Sequence, residues 1–170
     1  MKETIFNLIT RKSCKNYKDE HLDKEIINEI ISAGLNAPSG MNRQTPIFLA
    51  VSDDEIVSKL SKLNADVSGM NIDPFYGSKD IIVVVCKKEG TYIYDGSLAM
   101  GNLLNAAWSL GVGACWIHRA KEVFETKEGK EILAKAGITD DVEGIGFCIL
   151  GKTNQEKDKT IIKDGRVFYL

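Results

Sequence analysis

The positions of apolar residues along the chain predict five helices and five strands. Apolar stripes with three- and four-residue spacing indicate amphipathic helices, and short apolar runs indicate strands. The predicted helices lie at residues 3–10, 23–33, 52–63, 96–110 and 121–136, and the predicted strands at residues 47–51, 81–86, 114–117, 144–150 and 167–170. This order favours an α+β or α/β fold in which helices sandwich a mixed β-sheet.

Residues with capping chemistry mark some of the predicted helix ends. Asp23 is a candidate N-cap and Gly34 a candidate stop for the second helix, and residues 52–55 form a capping box that opens the third. Asp95 is the candidate cap of the fourth helix. Residues 64–79 have no clear apolar period and are predicted to form a loop that acts as a mobile cover.

Three apolar segments predict burial against other elements. The continuous run Ile81–Cys86 suits a strand that is covered on both faces. The fourth helix is apolar most of the way round, which predicts a core or interface helix, and a homodimer would supply the cover that a small domain lacks. Because chain ends normally fray, the apolar segment Val167–Leu170 is predicted to dock on a sheet, in this subunit or in a partner.

Composition narrows the class of protein. A chain of 170 residues with 44% hydrophobic content predicts one domain, residues 1–170, and a net charge of −2 argues against a general nucleic-acid binder. No apolar run approaches the roughly 20 residues that span a bilayer, and no signal-peptide pattern is found, so the expected location is the cytoplasm. The four cysteines lack C-x-x-C spacing and the two histidines form no cluster, so no metal site is expected.

A basic segment near the start, Arg11–Lys15, holds three cations and a hydroxyl. Side chains two residues apart in an extended stretch point the same way, so Arg11, Ser13 and Lys15 could converge on one anion. Arginine grips a phosphate bidentately, and lysine adds a point charge. The alternative is a solvated basic patch.

A second polar segment, Ala37–Gln44, is here called the octet loop. It carries a proline, a glycine, a hydroxyl and two carboxamides, with Arg43 as its single ionised side chain. Carboxamides donate and accept together, which suits the mixed edge of a flat heterocycle, and a Ser-Gly pair lets a ligand approach the backbone closely. The alternative is an ordinary loop. Because the chain has neither G-x-G-x-x-G nor a P-loop, a phosphate-bearing ring ligand would be held in another way.

With these segments in order, the chain resembles the FMN-dependent nitroreductase family. Residues 11–17 are similar to its R-x-S-x-R/K segment, and residues 37–46 to its A-P-S-x-x-N-x-Q-P loop. Residues 95–104 and 111–117 are similar to its central helix and following strand. The resemblance covers nearly the whole chain and implies a nitroreductase-like mixed sheet between helices, with a long central buried helix.

The resemblance also implies a homodimer with two FMN sites at the subunit interface. The basic segment would hold the phosphate, Asn42 and Gln44 would meet the polar edge of the ring, and residues 38–40 would come from the other subunit. The backbone around Ile117, His118 and Arg119 would lie near the reactive flavin nitrogen. The implied cofactor residues are Arg11, Lys12, Ser13, Lys15, Pro38, Ser39, Gly40, Asn42, Gln44, Trp116, Ile117, His118, Gly151 and Lys152.

Two pairs of residues depart from the family pattern. His118 and Arg119 stand where relatives often have glycine, so their contacts with the flavin stay open. Gly151 and Lys152 stand where many relatives have G-Y-P before a basic stretch. The cation that completes the phosphate site therefore stays open among Lys152, Lys157, Lys159, Lys163 and Arg166.

The implied activity is hydride transfer from NADH or NADPH through FMN to a nitroaromatic, a quinone or a similar flat acceptor, in a ping-pong scheme. The cofactor carries the chemistry, so no catalytic side chain is required. The alternatives are other flavin chemistry on the same fold, a non-catalytic flavin-binding protein, or a fold that binds no flavin. The nicotinamide donor and the physiological acceptor stay open.

Overall fold

The computed structural model describes residues 1–154 and 160–170. Six α-helices and four strands make up the described part, with a short 3₁₀ turn at Gly40–Asn42. The elements in chain order are α1 Glu3–Thr10, α2 Lys24–Leu35, β1 Pro46–Val51, α3 Asp54–Ser68, β2 Asp80–Lys87, α4 Tyr92–Ser109, β3 Gly113–Ile117, α5 Ala120–Glu125, α6 Lys127–Lys135 and β4 Val142–Gly151.

The four strands form one sheet in the order β1-β2-β4-β3, and every neighbouring pair is antiparallel. In the described residues, the parallel pairing is limited to an isolated bridge between Ser13 and Ala114. The α+β class with helices on both faces is therefore confirmed. The expectation of a mixed sheet is met only at this bridge, because residues 167–170 do not join the sheet as a fifth strand.

The centre of the sheet, β2, is buried on both faces, as its continuous apolar run predicts. Ile82, Val84 and Cys86 belong to one core cluster, which includes residues of α2 and α4. The alternate residues 81, 83 and 85 belong to a second cluster, with residues of α3, α5 and α6. The two-residue period of a strand therefore divides one apolar run between two helical layers.

Helix α3 is longer than the sequence pattern predicts, because it extends through Ser68 into the expected loop. It ends at Gly69, whose φ of 64° is the left-handed conformation that commonly ends helices. Its N-cap is Asp53, whose side chain accepts hydrogen bonds from the backbone N–H groups of Glu55 and Ile56. A single capping carboxylate thus replaces the predicted capping box.

The expected end of α2 at Gly34 is wrong. Gly34 lies inside the helix and is buried where α2 crosses α4. A β-carbon there would lie 2.7 Å from the side chain of Leu103 and 2.9 Å from that of Phe48. The glycine therefore serves close packing and not termination, which the sequence alone does not distinguish.

Two other predicted helix boundaries also differ. α4 begins at Tyr92, so Asp95 lies inside its first turns instead of capping it. The predicted helix 121–136 is two helices separated at Thr126, whose φ and ψ of −69° and 158° are extended. Thr126 caps α6 by accepting from the N–H of Gly129, where a β-carbon would lie 2.1 Å from the carbonyl oxygen of Val123.

Large apolar side chains remain exposed on the layer that contains α1 and α4. Helix α1 has no buried residue, and the Phe6 side chain is 54% exposed. On α4 one side is buried, but Tyr94 and Leu98 are exposed, so the helix is only partly the buried core helix that was expected. The terminal residues 167–170 are exposed and form no strand, so docking on the sheet of this subunit is wrong.

Within residues 1–154 and 160–170, no helix is both long enough and apolar enough to cross a bilayer. The same residues contain no group of three or more His, Cys, Asp or Glu side chains placed to hold a metal ion.

The cap of α3 provides a test of the local structure. Replacing Asp53 with Ala should lower the free energy of unfolding by about 1 kcal/mol, because two helix N–H groups lose their acceptor. Asp23→Ala is the matched control, since Asp23 precedes α2 in the same position without a side-chain capping bond. Urea denaturation measures both; equal losses for the two variants would contradict the capping role.

Candidate functional site

The basic segment lies across the end of β3. The N–H of Cys14 donates to the carbonyl of Ala114 at 3.0 Å, and the hydroxyl of Tyr17 donates to the carbonyl of Cys14 at 2.6 Å. The N–H of Lys18 donates to the carbonyl of Lys152 at 2.9 Å. The segment is therefore held as an extended stretch beside the sheet.

Two paired glycines let this segment approach so closely. Gly113 and Gly151 are register partners in strands β3 and β4. A β-carbon at Gly113 would lie 3.1 Å from Cβ of Cys14, and one at Gly151 would lie 2.8 Å from the Tyr17 ring. Gly151, a candidate cofactor residue, thus acts in this structure as a packing surface for the basic segment.

The structure brings together Arg11, Ser13 and Lys15 around the thiol of Cys115. Burial raises the pKa of that thiol, against the opposing effects of a hydrogen bond with Ser13 and the positive charges of Lys15 and Arg11. We call these three side chains the cradle. Their convergence follows the two-residue spacing of the extended segment.

One atom of the cradle has no partner in the described part of the chain. Nη1 of Arg11 is buried and donates a hydrogen bond to no described residue. Buried guanidinium groups are normally paired, because an unsatisfied donor loses its hydration without compensation. The ammonium of Lys15 lies 5.3 Å from the centre of the Tyr76 ring.

Two other candidate cations point elsewhere. The ammonium of Lys12 donates to the hydroxyl of Thr160, and that of Lys152 pairs with Glu20 at 3.1 Å. Lys163 and Arg166 are exposed. Residues 157 and 159, also candidates for the phosphate site, lie outside the described residues.

The octet loop contains three non-glycine residues in the left-handed region. Met41, Asn42 and Gln44 have φ values of 52°, 53° and 51°, and all three side chains are exposed. The N–H of Gln44 donates to the hydroxyl of Ser39 at 2.9 Å, and its carboxamide donates to that of Asn42 at 3.2 Å. The two candidate carboxamides therefore lie side by side on the surface. The flanking Pro38 is also exposed.

The buried carboxylate of Asp95, which was predicted to cap a helix, contacts this loop. Asp95 accepts hydrogen bonds from the N–H of Gly40 at 3.0 Å, from the Thr91 hydroxyl at 2.9 Å and from the Thr45 hydroxyl at 3.1 Å. Burial acts to raise the pKa of Asp95, but these hydrogen bonds outweigh it and hold the pKa below its ordinary value. The carboxylate is therefore ionised at neutral pH.

The cradle and the octet loop lie at opposite ends of α4. Near one end of the helix, Asp95 binds the octet loop; near the other, the indole N–H of Trp108 donates to Thr10, the residue before the cradle. Thirteen residues separate the two contacts, a rise of about 20 Å. Within one chain the two halves of the implied site are therefore far apart.

The residues after β3 form a third candidate region. Trp116 packs on Gly146, where a β-carbon would lie 2.2 Å from the indole nitrogen. Ile117 is half-buried, and the exposed His118 has its carbonyl held by the carboxamide of Asn64 at 2.7 Å. Asn64 is not among the predicted site residues, because the apolar pattern predicts that α3 ends at residue 63 whereas the helix runs to Ser68. Asn64 lies four residues after Leu60, on the same buried side of the helix, and this spacing could have indicated its position.

The next residue is itself constrained. Arg119 has a φ of 74° and pairs with Glu122 at 2.7 Å, at the start of α5. The positive charge of Arg119 is therefore paired within the protein.

Comparison with known proteins identifies the family of this chain. The model of the Nitroreductase family matches residues 8–69, which include the cradle and the octet loop. A protein of Archaeoglobus fulgidus with the provisional name NADH dehydrogenase/NAD(P)H nitroreductase is 31% identical over 163 residues, covering 93% of this chain and 90% of the relative. This chain belongs to the nitroreductase family.

Solved structures share the fold over the full length. A nitroreductase with bound FMN from Bacteroides fragilis superposes with a TM-score of 0.91 at 21% identity, covering 100% of both chains. A second, from Desulfitobacterium hafniense, gives a TM-score of 0.89 at 24% identity and covers 100% of this chain and 99% of its own. At such identities the likeness establishes the fold alone.

The contact between α3 and residue 118 can be tested directly. Asn64→Ala should lower the free energy of unfolding by about 1–2 kcal/mol, because the carbonyl of His118 loses its donor. Asn71→Ala, at an exposed position on the following loop, is the control and should change stability by less than about 0.5 kcal/mol. Thermal unfolding measures both, and an equal, small effect would exclude the proposed anchor.

Proposed function

We propose that this chain is an FMN-dependent oxidoreductase that takes electrons from NADH or NADPH and passes them to flat acceptors such as nitroaromatics or quinones. Family membership supports the class of enzyme. The FMN bound in the nitroreductases of the same fold supports the cofactor.

The observation that carries the proposal is the unpartnered Nη1 of Arg11. A phosphate at the cradle would give this buried donor an anionic acceptor, with Ser13 and Lys15 adding a hydroxyl and a second positive charge. The residues therefore fit the phosphate end of FMN. Lys12 and Lys152 are left out of the proposed site because their ammonium groups contact Thr160 and Glu20.

The ring end of FMN would be met by the exposed carboxamides of Asn42 and Gln44 and by the backbone of residues 117–119. About 20 Å of α4 separates the hydrogen bonds that anchor the octet loop and the cradle, which supports a site whose two parts come from two chains. We propose that the whole octet loop serves the flavin whose phosphate the partner holds. This revises the expectation that the loop is divided between two flavins.

When bound, FMN supplies the two-electron redox chemistry between donor and acceptor. The protein's own residues have simpler tasks. The cradle would fix the phosphate, the carboxamides would satisfy the polar edge of the ring, and Asn64 would hold the His118 carbonyl and so the backbone beside the ring. No side-chain nucleophile is required for this division of labour.

The dimer is proposed because one layer of the molecule lacks cover. Exposed apolar side chains on α1 and α4 form a surface that a soluble monomer rarely leaves in water. They include Ile5, Phe6, Leu8, Ile9, Tyr94 and Leu98. Gly101 lies on the same side of α4 as Leu98, and a β-carbon there would have no atom within 4 Å. The partner helix could therefore approach most closely at this glycine.

A second contact is proposed for the exposed chain end. Strand β1 is an edge strand, and a groove of about 530 Å³ lies between it, α3 and α6. The apolar segment 167–170 of a partner could add to this edge by strand pairing.

The central experiment is titration of the purified protein with FMN, followed by anaerobic addition of NADH and of NADPH. Bound FMN that either nicotinamide bleaches, and that a quinone or nitroaromatic then reoxidises, is the expected result. Failure to bind FMN would exclude the flavin proposal. Bound FMN that neither donor reduces would leave a flavin-binding protein and contradict the oxidoreductase assignment.

The cradle is tested by Arg11→Ala. Loss of a charge-assisted bond to phosphate should weaken FMN binding by about 1.5–3 kcal/mol, roughly 10- to 150-fold. The melting temperature of the apoprotein should not fall to match, because the guanidinium atom is unpaired there. Lys12→Ala, which removes the neighbouring cation bound to Thr160, is the control and should bind FMN nearly as well as the wild type. Equal affinities for all three proteins would remove Arg11 from the site.

The proposed interface is tested by Gly101→Leu. The new side chain has space within one chain but would obstruct a partner helix, so light scattering should give a monomer that keeps its helical circular dichroism. Lys130→Leu, which adds the same side chain at an exposed position on α6 in the opposite layer, is the control and should remain a dimer. A monomeric wild-type protein at micromolar concentration would contradict the dimer.

A further inference from the structure

The left-handed stretch of the octet loop requires an external restraint. Three of the four residues from Met41 to Gln44 have φ between 51° and 53°, a region that disfavours residues with side chains. Such angles persist only where surrounding contacts fix them. The contacts that hold this stretch therefore decide where the carboxamides of Asn42 and Gln44 are presented.

The carboxylate of Asp95 binds both ends of the stretch. One oxygen accepts from the N–H of Gly40, immediately before it, and the other accepts from the hydroxyl of Thr45, immediately after it. Asp95 is 2% exposed and Thr45 is 1% exposed, so water competes little for these bonds. The Thr91 hydroxyl, which also donates to the carboxylate, limits its rotation.

The base of this clamp is rigid. Gly96, the next residue, is buried against the sheet, and a β-carbon there would lie 2.6 Å from Ile145 and 2.7 Å from the sulfur of Cys86. On the loop side, a β-carbon at Gly40 would lie 2.1 Å from the hydroxyl of Thr91. Both glycines therefore permit the close approach that brings Asp95 within bonding distance of the loop.

We propose that Asp95 is a positioning residue for cofactor binding: it clamps both ends of the left-handed stretch and thereby sets the positions of the Asn42 and Gln44 carboxamides at the flavin ring. The inference rests on the proposed function, but the clamp itself is a property of the chain without cofactor. Asp95 is buried, and it acts through the loop that it binds.

The test compares Asp95→Ala and Asp95→Asn with the wild type. Alanine removes the clamp, so the FMN dissociation constant should rise about tenfold or more and the visible bands of bound FMN should shift. Asparagine can accept from Gly40 and donate to the Thr45 oxygen, so it should restore affinity to within about threefold of the wild type. Amide exchange of residues 39–45 in the apoprotein should accelerate in the alanine variant only.

Asp53→Ala is the control, since it also deletes a carboxylate that accepts hydrogen bonds, in this case two at the exposed start of α3. It should lower the melting temperature without changing the FMN spectrum or the exchange of residues 39–45. If Asp95→Ala does not fold, Thr45→Val removes one end of the clamp alone and should weaken FMN binding about threefold or more.

The outcomes separate the two proposals. Wild-type affinity and spectrum in a folded Asp95→Ala variant would overturn the positioning role and leave the oxidoreductase intact, as would equal affinity losses in the Asp95 and Asp53 variants. A wild-type protein that binds no FMN would overturn the function. Exchange at residues 39–45 would still decide whether Asp95 clamps the loop.

Discussion

The contact on which the rest of the structure depends is the close approach of α4 to the sheet at Gly96. No larger residue fits between the helix and the side chains of Ile145 and Cys86. Because this contact sets the depth of α4, it also sets the position of the buried carboxylate of Asp95 and, at the other end of the helix, of the Trp108 indole that holds Thr10. The two functional segments are thus anchored to one rigid element.

The sequence predicted the parts of this arrangement that depend on local chemistry. A continuous apolar run identified β2, and the two-residue spacing of Arg11, Ser13 and Lys15 indicated their convergence. It could not predict features that depend on distant partners. Glycine is a residue type that often ends helices, yet Gly34 lies where α2 crosses α4. Its neighbour there is Leu103, which is 69 residues away along the chain and so is not visible in the local pattern. Aspartate is a residue type that often caps helices, yet the carboxylate of Asp95 accepts a hydrogen bond from Gly40 in a loop about 55 residues earlier in the chain.

The structure also gives a physical reason for an oligomer. The contacts of the cradle and of the carboxamide loop with α4 lie near opposite ends of that helix, which supports the proposal that each site is shared between two chains. The same layer carries exposed apolar residues on α1 and α4, and the terminal segment lies free of the sheet. A second copy of the chain would therefore both cover the exposed apolar side chains and complete the proposed site.

The separation of the two segments along α4 has a genetic consequence. In the proposed dimer, each site takes its cradle from one chain and its octet loop from the other. A chain damaged only in the cradle and a chain damaged only in the octet loop would together form one site with both defects and one site with neither. Co-expression of two inactive alleles would then restore about half of the activity per mixed dimer, so recessive lesions in the two segments would complement each other.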